Sequence, residues 1–166
     1  IANVTLGEGP GVFPGIGFVA GEFRQRRNVD AIVSRGVEVD AQWELGRWRL
    51  AGGWSFADAE IDGLRPAQTP RHSGSATLSR SWRGGAYAAV SARYSGRRFE
   101  DDLNRQLLAA ALTIDAVAVV PVSPRLSLEA RAENIANERV VAGISGAGVV
   151  ERAGPRTLWL GLRWGG

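Results

Sequence analysis

The stretch Arg125-Leu126-Ser127-Leu128-Glu129-Ala130-Arg131-Ala132-Glu133-Asn134 decides how the rest of the chain is read. Leu126, Leu128, Ala130 and Ala132 fall on one side of an extended chain. Arg125, Ser127, Glu129, Arg131 and Glu133 fall on the other. A helix would scatter these two sets around its circumference, whereas a β-strand separates them cleanly, because successive side chains point to opposite faces. The polar face holds both signs of charge deep inside the strand.

The same alternation recurs in both directions from this stretch. Towards the C-terminus, Pro155 to Trp164 places Leu158, Leu160, Leu162 and Trp164 on one face, with Thr157, Gly161 and Arg163 opposite. Trp159 lies on that mixed second face. Towards the N-terminus come Leu108 to Val120, Gly85 to Tyr94, His72 to Trp82, Trp48 to Phe56 and Val37 to Leu45. Leu108 to Val120 is the most helix-like of these, being rich in alanine. Its β-branched residues and Pro121 at its end favour a strand. Arg80 breaks the apolar face of its strand, near the end, where a membrane interface tolerates a charge. Ile1 to Thr5 reads as the tail of an eighth strand. A strand of about ten residues rises ~33 Å and, tilted by ~40°, covers ~25 Å, the height of the apolar band of a membrane barrel. Strands of soluble sandwiches run to only ~5–6 residues.

The connections alternate in length. Leu45 to Arg47, Trp82 to Gly85 and Pro121 to Arg125 are short, with Gly or Pro to shape the turn. Ile61 to Arg71, Arg98 to Leu107 and Ile135 to Gly154 are long and polar. Leu6 to Gly21 reads as a further long loop. Short turns at one end and long loops at the other is the pattern of outer-membrane barrels.

Composition narrows the functional classes. The chain has 166 residues, 45% hydrophobic and 22% charged, which suits one folded unit. It has no Cys, which excludes a disulfide framework, a thiol nucleophile and a cysteine metal site. It begins with Ile1 and contains no Met, so a piece of a longer polypeptide is expected. All 20 basic residues are Arg, set against 17 acidic ones and scattered along the chain, so no nucleic-acid partner is expected. The longest apolar run, Leu107 to Val122, is interrupted by Thr113 and Asp115, so a single helix through lipid is excluded while a strand-built span is not.

In a membrane barrel the apolar faces meet lipid and the polar faces line the interior. Trp43, Trp48, Trp82, Tyr94 and Trp164 lie near inferred strand ends, where aromatic girdles form. An open sheet edge in lipid leaves backbone groups unpaired at ~2 kcal/mol or more each, tens of kcal/mol for two edges. Seven strands are also an odd number. The expected fold is therefore all-β: an antiparallel up-and-down transmembrane β-barrel, of which residues 1–166 supply about seven to eight strands, with upstream strands missing.

Over about Arg26 to Trp164 the chain resembles the C-terminal end of the β-barrel of TonB-dependent outer-membrane receptors. Asn28-Val29-Asp30 followed by Ser34-Arg35-Gly36-Val37-Glu38-Val39 is similar to that family's "Asn … Gly-Val-Glu" strand. Trp54-Ser55-Phe56-Ala57-Asp58-Ala59 is similar to its next strand. Pro66, Pro70 and His72 before Ser75-Ala76-Thr77-Leu78 resemble its loop-to-strand return. Tyr94-Ser95-Gly96-Arg97-Arg98-Phe99 with Asp101, Asp102 and Asn104 resembles its "Tyr-x-Gly … Asp … Asn" segment. Glu133-Asn134-Ile135 with Asn137-Glu138 resembles "Glu-Asn-Leu-x-Asp-Glu". Gly154-Pro155-Arg156-Thr157 into Leu160-Gly161-Leu162-Arg163-Trp164 resembles the final strand. The family usually ends on an aromatic residue that the assembly machinery reads; here Gly165 and Gly166 follow Trp164.

The resemblance implies active import across the outer membrane of a Gram-negative bacterium. A barrel of about 22 strands is plugged by a globular domain, and loops capture a scarce ligand, commonly a ferric siderophore or a cobalamin. The inner-membrane TonB complex, reached through an N-terminal region absent from this sequence, supplies energy. Arg65, Arg71, Arg97, Arg98, Asp101 and Asn104 are then ligand-contact candidates in the loops. Glu38, Asp40, Glu129, Arg131 and Glu133 are expected to face the lumen and plug, and Trp164 to be the assembly signal.

No enzyme or cofactor site is expected. His72 is the only His, which leaves little for metal or acid–base chemistry. Glu100, Asp101 and Asp102 could chelate a cation, but a solvated acidic loop is the simpler reading. Gly143 to Gly148 precedes no helix, which argues against a phosphate cradle. Two other architectures produce alternation: a self-contained barrel of about eight strands, acting as adhesin or structural protein, and a soluble β-sandwich binding module. The solvent exposure of Leu126, Leu128 and Ala130 separates the membrane readings from the sandwich.

Overall fold

The structure is a computed structural model that describes residues 2–27, 31–145 and 148–165. Asn28, Val29 and Asp30 of the sequence pattern lie outside the described residues, as do Ile1, Gly146, Ala147 and Gly166. The described strands, in chain order, are β1 (Ala2–Glu8), β2 (Gly11–Phe13), β3 (Gly17–Val19), β4 (Glu22–Arg27), β5 (Val33–Leu45), β6 (Trp48–Glu60), β7 (His72–Ser81) and β8 (Tyr87–Ser95). They continue with β9 (Arg98–Phe99), β10 (Leu107–Leu108), β11 (Ala111–Ser123), β12 (Leu126–Glu133), β13 (Val141–Ile144), β14 (Val150–Arg152) and β15 (Thr157–Trp164).

One seven-stranded antiparallel sheet, in the order β15-β12-β11-β8-β7-β6-β5, contains the seven expected strands. Each long strand pairs with its neighbours in sequence, an up-and-down meander. Register follows the hydrophobic pattern, because a slip of one residue would turn every apolar side chain to the wrong face. One row runs from Val39 to Trp54 and Gly74 and on to Tyr94 and Leu112. A second runs from Val120 to Leu128 and Leu162. The opposite face matches polar to polar: Glu44 faces Arg49, Ser55 faces Ser73, and Thr77 faces Ser91. Hydroxyl pairs join Ser55 to Ser73 at 2.7 Å and Thr77 to Ser91 at 2.8 Å.

The apolar face is uncovered. Leu158, Leu160 and Leu162 are 72%, 81% and 71% exposed. Among the described residues only Ala59, Ala89 and Leu108 are buried apolar residues. A sandwich needs a second sheet to cover this face, and among the described residues none packs on it, which removes that alternative. The sheet also has two open edges, β5 and β15, so it is not the closed eight-stranded barrel of the other alternative.

Several boundaries differ from expectation. β1 reaches Glu8, so Leu6 is strand rather than loop, and β1 pairs with β4 instead of joining the large sheet. The segment from Leu6 to Gly21 also contains the hairpin β2–β3. Pro121 does not end its strand: β11 runs on to Ser123, and Pro121 lies beyond the last pairing with β8, at Val119, where β11 has one neighbour only. A missing N–H is tolerated in such a position.

Gly36 marks the closest approach in the sheet. A Cβ there would run into the backbone oxygen of Phe56, whereas one at Gly161 meets nothing within 4 Å. Gly36→Ala should lower stability by about 1–3 kcal/mol through forced strand separation, and Gly161→Ala by less than about 0.5 kcal/mol. Denaturant unfolding of the two variants of the whole protein reads the difference.

Candidate functional site

The two ends of the sheet differ in construction. At one end lie the short turns Gly46-Arg47, Trp82 to Ala86 and Pro124-Arg125. At the other, the long connections fold onto one another. Gln68 N–H donates to the Phe99 carbonyl at 2.7 Å, and Arg98 Nε donates to Gln68 Oε1 at 2.7 Å. Gln68 Nε2 also donates to Glu100. Arg98 further reaches Ser95 Oγ at 3.2 Å and the Val141 carbonyl at 3.5 Å. One guanidinium therefore ties together segments from all three long loops.

Asp101 is 4% exposed, and its carboxylate accepts N–H bonds from Arg105 and Gln106 at 2.7–3.2 Å. Asp102 Oδ1 accepts from Ala67 N–H at 2.9 Å. The acidic run is thus built into the loop fold, which corrects the expectation of a solvated acidic loop. Asn104 adopts φ 57°, a left-handed conformation that asparagine tolerates. Its side-chain amide accepts from Arg65 N–H at 2.9 Å and donates to the Arg65 carbonyl at 2.7 Å. Arg71 pairs with Asp58 at 2.7 Å. Arg97 is exposed. Of the six loop candidates, Asp101, Asn104, Arg98 and the Arg65 backbone come together as one folded cluster; Arg71 is engaged at the strand end beside it, and Arg97 projects free of both.

The polar face is concave. A trough of about 1000 Å³ runs along it, lined by Glu38, Asp40, Ser75 and Arg93, with Val140 and Ala153 from the last long loop closing one side. Glu129 and Arg131 line a neighbouring hollow with Asp115. Arg131 pairs with Glu133 at 3.0 Å. All five lumenal candidates therefore lie on the polar face and line it with charge. Trp164 is exposed on the apolar face at the end of β15, paired with Leu126, and Gly165 N–H closes onto the Arg125 carbonyl at 2.9 Å.

Two further residues hold this arrangement without having been singled out individually. Asn134 is 6% exposed; its amide donates to the Glu138 and Gly154 carbonyls and accepts from Glu138 N–H. Asp115, on the polar face, accepts Asn134 N–H at 2.8 Å and pairs with Arg93. Their signal was the Asn within the Glu133-Asn134-Ile135 motif and the lone acid in an apolar run.

The family model described as TonB dependent receptor-like, beta-barrel, matches residues 1–135. No curated protein sequence matches the chain. Among solved structures, the chain is similar to the siderophore receptor PiuA from Acinetobacter baumannii, with TM-score 0.71 and 16% identity over 87% of this chain and 22% of that one. It is similar to the ferric yersiniabactin uptake receptor FyuA from Yersinia pestis, with TM-score 0.73 and 18% identity over 80% of this chain and 23% of that one. It is also similar to the ferric-catecholate import receptor Fiu from E. coli, with TM-score 0.68 and 19% identity over 90% of this chain and 22% of that one. The chain spans between a fifth and a quarter of the length of these receptors. With 135 of its 166 residues matched and the barrel fold shared, the chain belongs to the TonB-dependent receptor β-barrel family, a family of outer-membrane receptors of Gram-negative bacteria and not of enzymes.

Proposed function

We propose that this chain is the C-terminal portion of the barrel of an outer-membrane receptor that imports a ferric siderophore. The observation that carries the reading is a seven-stranded sheet with one uncovered apolar face, one charged face lining a trough and two open edges. Such edges in hydrocarbon demand partners, which upstream strands of a longer polypeptide supply. The concave face, with Glu38, Asp40, Glu129, Arg131 and Glu133, then lines a lumen that hydrogen-bonds a polar plug domain. Energy enters through the TonB complex at the far N-terminal region.

The three named structural neighbours are a siderophore receptor, a ferric yersiniabactin uptake receptor and a ferric-catecholate import receptor, which supports an iron chelate over a cobalamin as the ligand. Chelates built on hydroxamate, catecholate or carboxylate oxygens carry anionic character, and an exposed guanidinium at the loop end is the group to meet it. Arg97 has that position, while Arg98 and Arg71 are engaged in holding loops.

The test is uptake of radiolabelled iron by iron-starved cells carrying the whole receptor, with ferric siderophores and cobalamin offered in parallel. Uptake of at least one ferric siderophore that vanishes in cells lacking TonB is the expected result. Cobalamin uptake alone, or uptake indifferent to TonB, would contradict the proposal. Arg97→Glu should weaken binding of that siderophore about ten-fold by replacing attraction with repulsion, read by fluorescence titration of the purified receptor.

A further inference from the structure

The apolar face of the sheet is broken near its short-turn end by one cation. Arg80 faces Trp48 on one neighbouring strand and Ala88 on the other, so it shares the lipid-directed face. Its guanidinium carbon lies 4.8 Å from the Trp48 ring centre and 4.9 Å from that of Trp82. This is cation–π distance on both sides. The Arg80 Nε is buried and has no acceptor among the described residues. β7 has β6 and β8 along its two sides, so strands joining the open edges at β5 and β15 leave these surroundings unchanged.

The half-buried guanidinium has no carboxylate partner among the described residues, so an anionic acceptor from outside the chain lowers the cost of holding its charge there. At the level of the aromatic belt, on a face turned to lipid, the acceptor at hand is a headgroup phosphate. Charge around the site agrees. Ser81 N–H donates to the Arg47 carbonyl at 3.0 Å, so the Gly46-Arg47 turn sits beside the end of β7. Arg83 follows three residues after Arg80, and both Arg47 and Arg83 are exposed. The three short turns carry Arg47, Arg83 and Arg125 and no carboxylate, whereas the long loops mix both signs.

We propose that Arg80, held between Trp48 and Trp82 and flanked by Arg47 and Arg83, binds the phosphate of an anionic phospholipid, such as phosphatidylglycerol, in the membrane leaflet at the short-turn end. This rests on the membrane reading above and is independent of what the receptor imports. The two indoles fix the guanidinium plane, which aims its terminal N–H groups in a way that a freely rotating surface arginine lacks. The turn arginines add attraction that zwitterionic headgroups answer less strongly.

The experiment is native mass spectrometry of the whole receptor in detergent with added phosphatidylglycerol, alongside phosphatidylcholine and inorganic phosphate. The wild-type protein should retain phosphatidylglycerol in preference to phosphatidylcholine, and millimolar inorganic phosphate should not displace it. Arg80→Gln should reduce retention about ten-fold, and Arg80→Lys, which keeps the charge without the planar fork, about three-fold. Folding of each variant is checked by its heat-modifiable mobility on gels. If Arg80→Gln fails to fold, the doubly substituted Arg47→Gln, Arg83→Gln protein carries the test, with about a five-fold loss expected from its exposed turns. Equal retention by wild-type and substituted proteins overturns the site, as does displacement by inorganic phosphate. Either result leaves the membrane orientation and iron uptake standing, since both are read separately.

Discussion

An arginine placed at Val90 should lower the stability of the folded barrel in lipid by about 2–4 kcal/mol, whereas one at Ser75 should cost less than about 1 kcal/mol. Val90 lies near the middle of β8, between Leu78 and Ala116 on the apolar face. It is 48% exposed, with no second layer over it. Hydrocarbon there can neither hydrate a guanidinium nor accept its hydrogen bonds. Ser75 lies on the opposite face, paired with Gly53 and Arg93, and lines the polar trough. Water and carboxylates such as Asp40 are available to a charge there. Urea unfolding of the whole receptor refolded into lipid vesicles gives both values. A larger loss at Ser75 than at Val90 would reverse the assignment of faces.

Asp101→Ala should loosen the long-loop cluster while leaving the barrel folded. The Asp101 carboxylate receives the Arg105 and Gln106 N–H groups inside the turn. Removing it leaves those donors unpaired in a site that is 4% exposed, a local cost of about 2–4 kcal/mol. The same turn positions Asp102 against Ala67 and Asn104 against Arg65, so the loss spreads to the neighbouring loop. Limited proteolysis should therefore nick residues 98–107 and 61–71 of the variant at least about ten-fold faster. The unfolding midpoint of the barrel should stay within error. Unchanged proteolysis would show that Asp101 is dispensable to the loops, and collapse of the barrel would show that loop and barrel fold as one unit.

What the sequence made legible follows from where the physics is periodic. All seven strands of the large sheet were readable because one face of each must be apolar over its full height, which leaves a mark every second residue. Their ends were less readable. β5 begins at Val33 rather than Val37, and β6 runs on to Glu60 rather than stopping at Phe56. Arg35 faces Asp58 in the extension, and Val33 faces Glu60. These pairs stand on the same face as Val37 and Trp54 but beyond the apolar band, so the strand continues after the alternation has ended. Pro121 misled for the opposite reason: a strand with one neighbour tolerates a residue that a central strand does not.

The small hairpins β2–β3, β9–β10 and β13–β14 have no such periodic mark. The last two are tied into the loop cluster by specific polar side chains, Gln68, Arg98 and Asn104 among them, whose partners are 30 or more residues away in several cases. Composition cannot distinguish a carboxylate that accepts loop amides from one that waits for a ligand. Asp101 and Asn104 are expected from the sequence to contact a ligand, and the geometry gives them a structural task within their loop. The charged residues of the polar face were more accessible, because Glu38, Asp40, Glu129, Arg131 and Glu133 needed only the strand period to be placed on one face.

The most direct test of the central claim uses the absence of cysteine from this chain. Single cysteines are introduced in turn from Ser127 to Ala132 in the whole receptor, made cysteine-free elsewhere, spin-labelled and reconstituted into lipid. Collision rates are measured with oxygen, which concentrates in hydrocarbon, and with a water-soluble nickel complex. Oxygen accessibility should peak at positions 128, 130 and 132, and the nickel complex should favour 127, 129 and 131. An alternation of reversed phase, or none at all, would contradict a sheet whose leucine face meets lipid and whose charged face lines the interior.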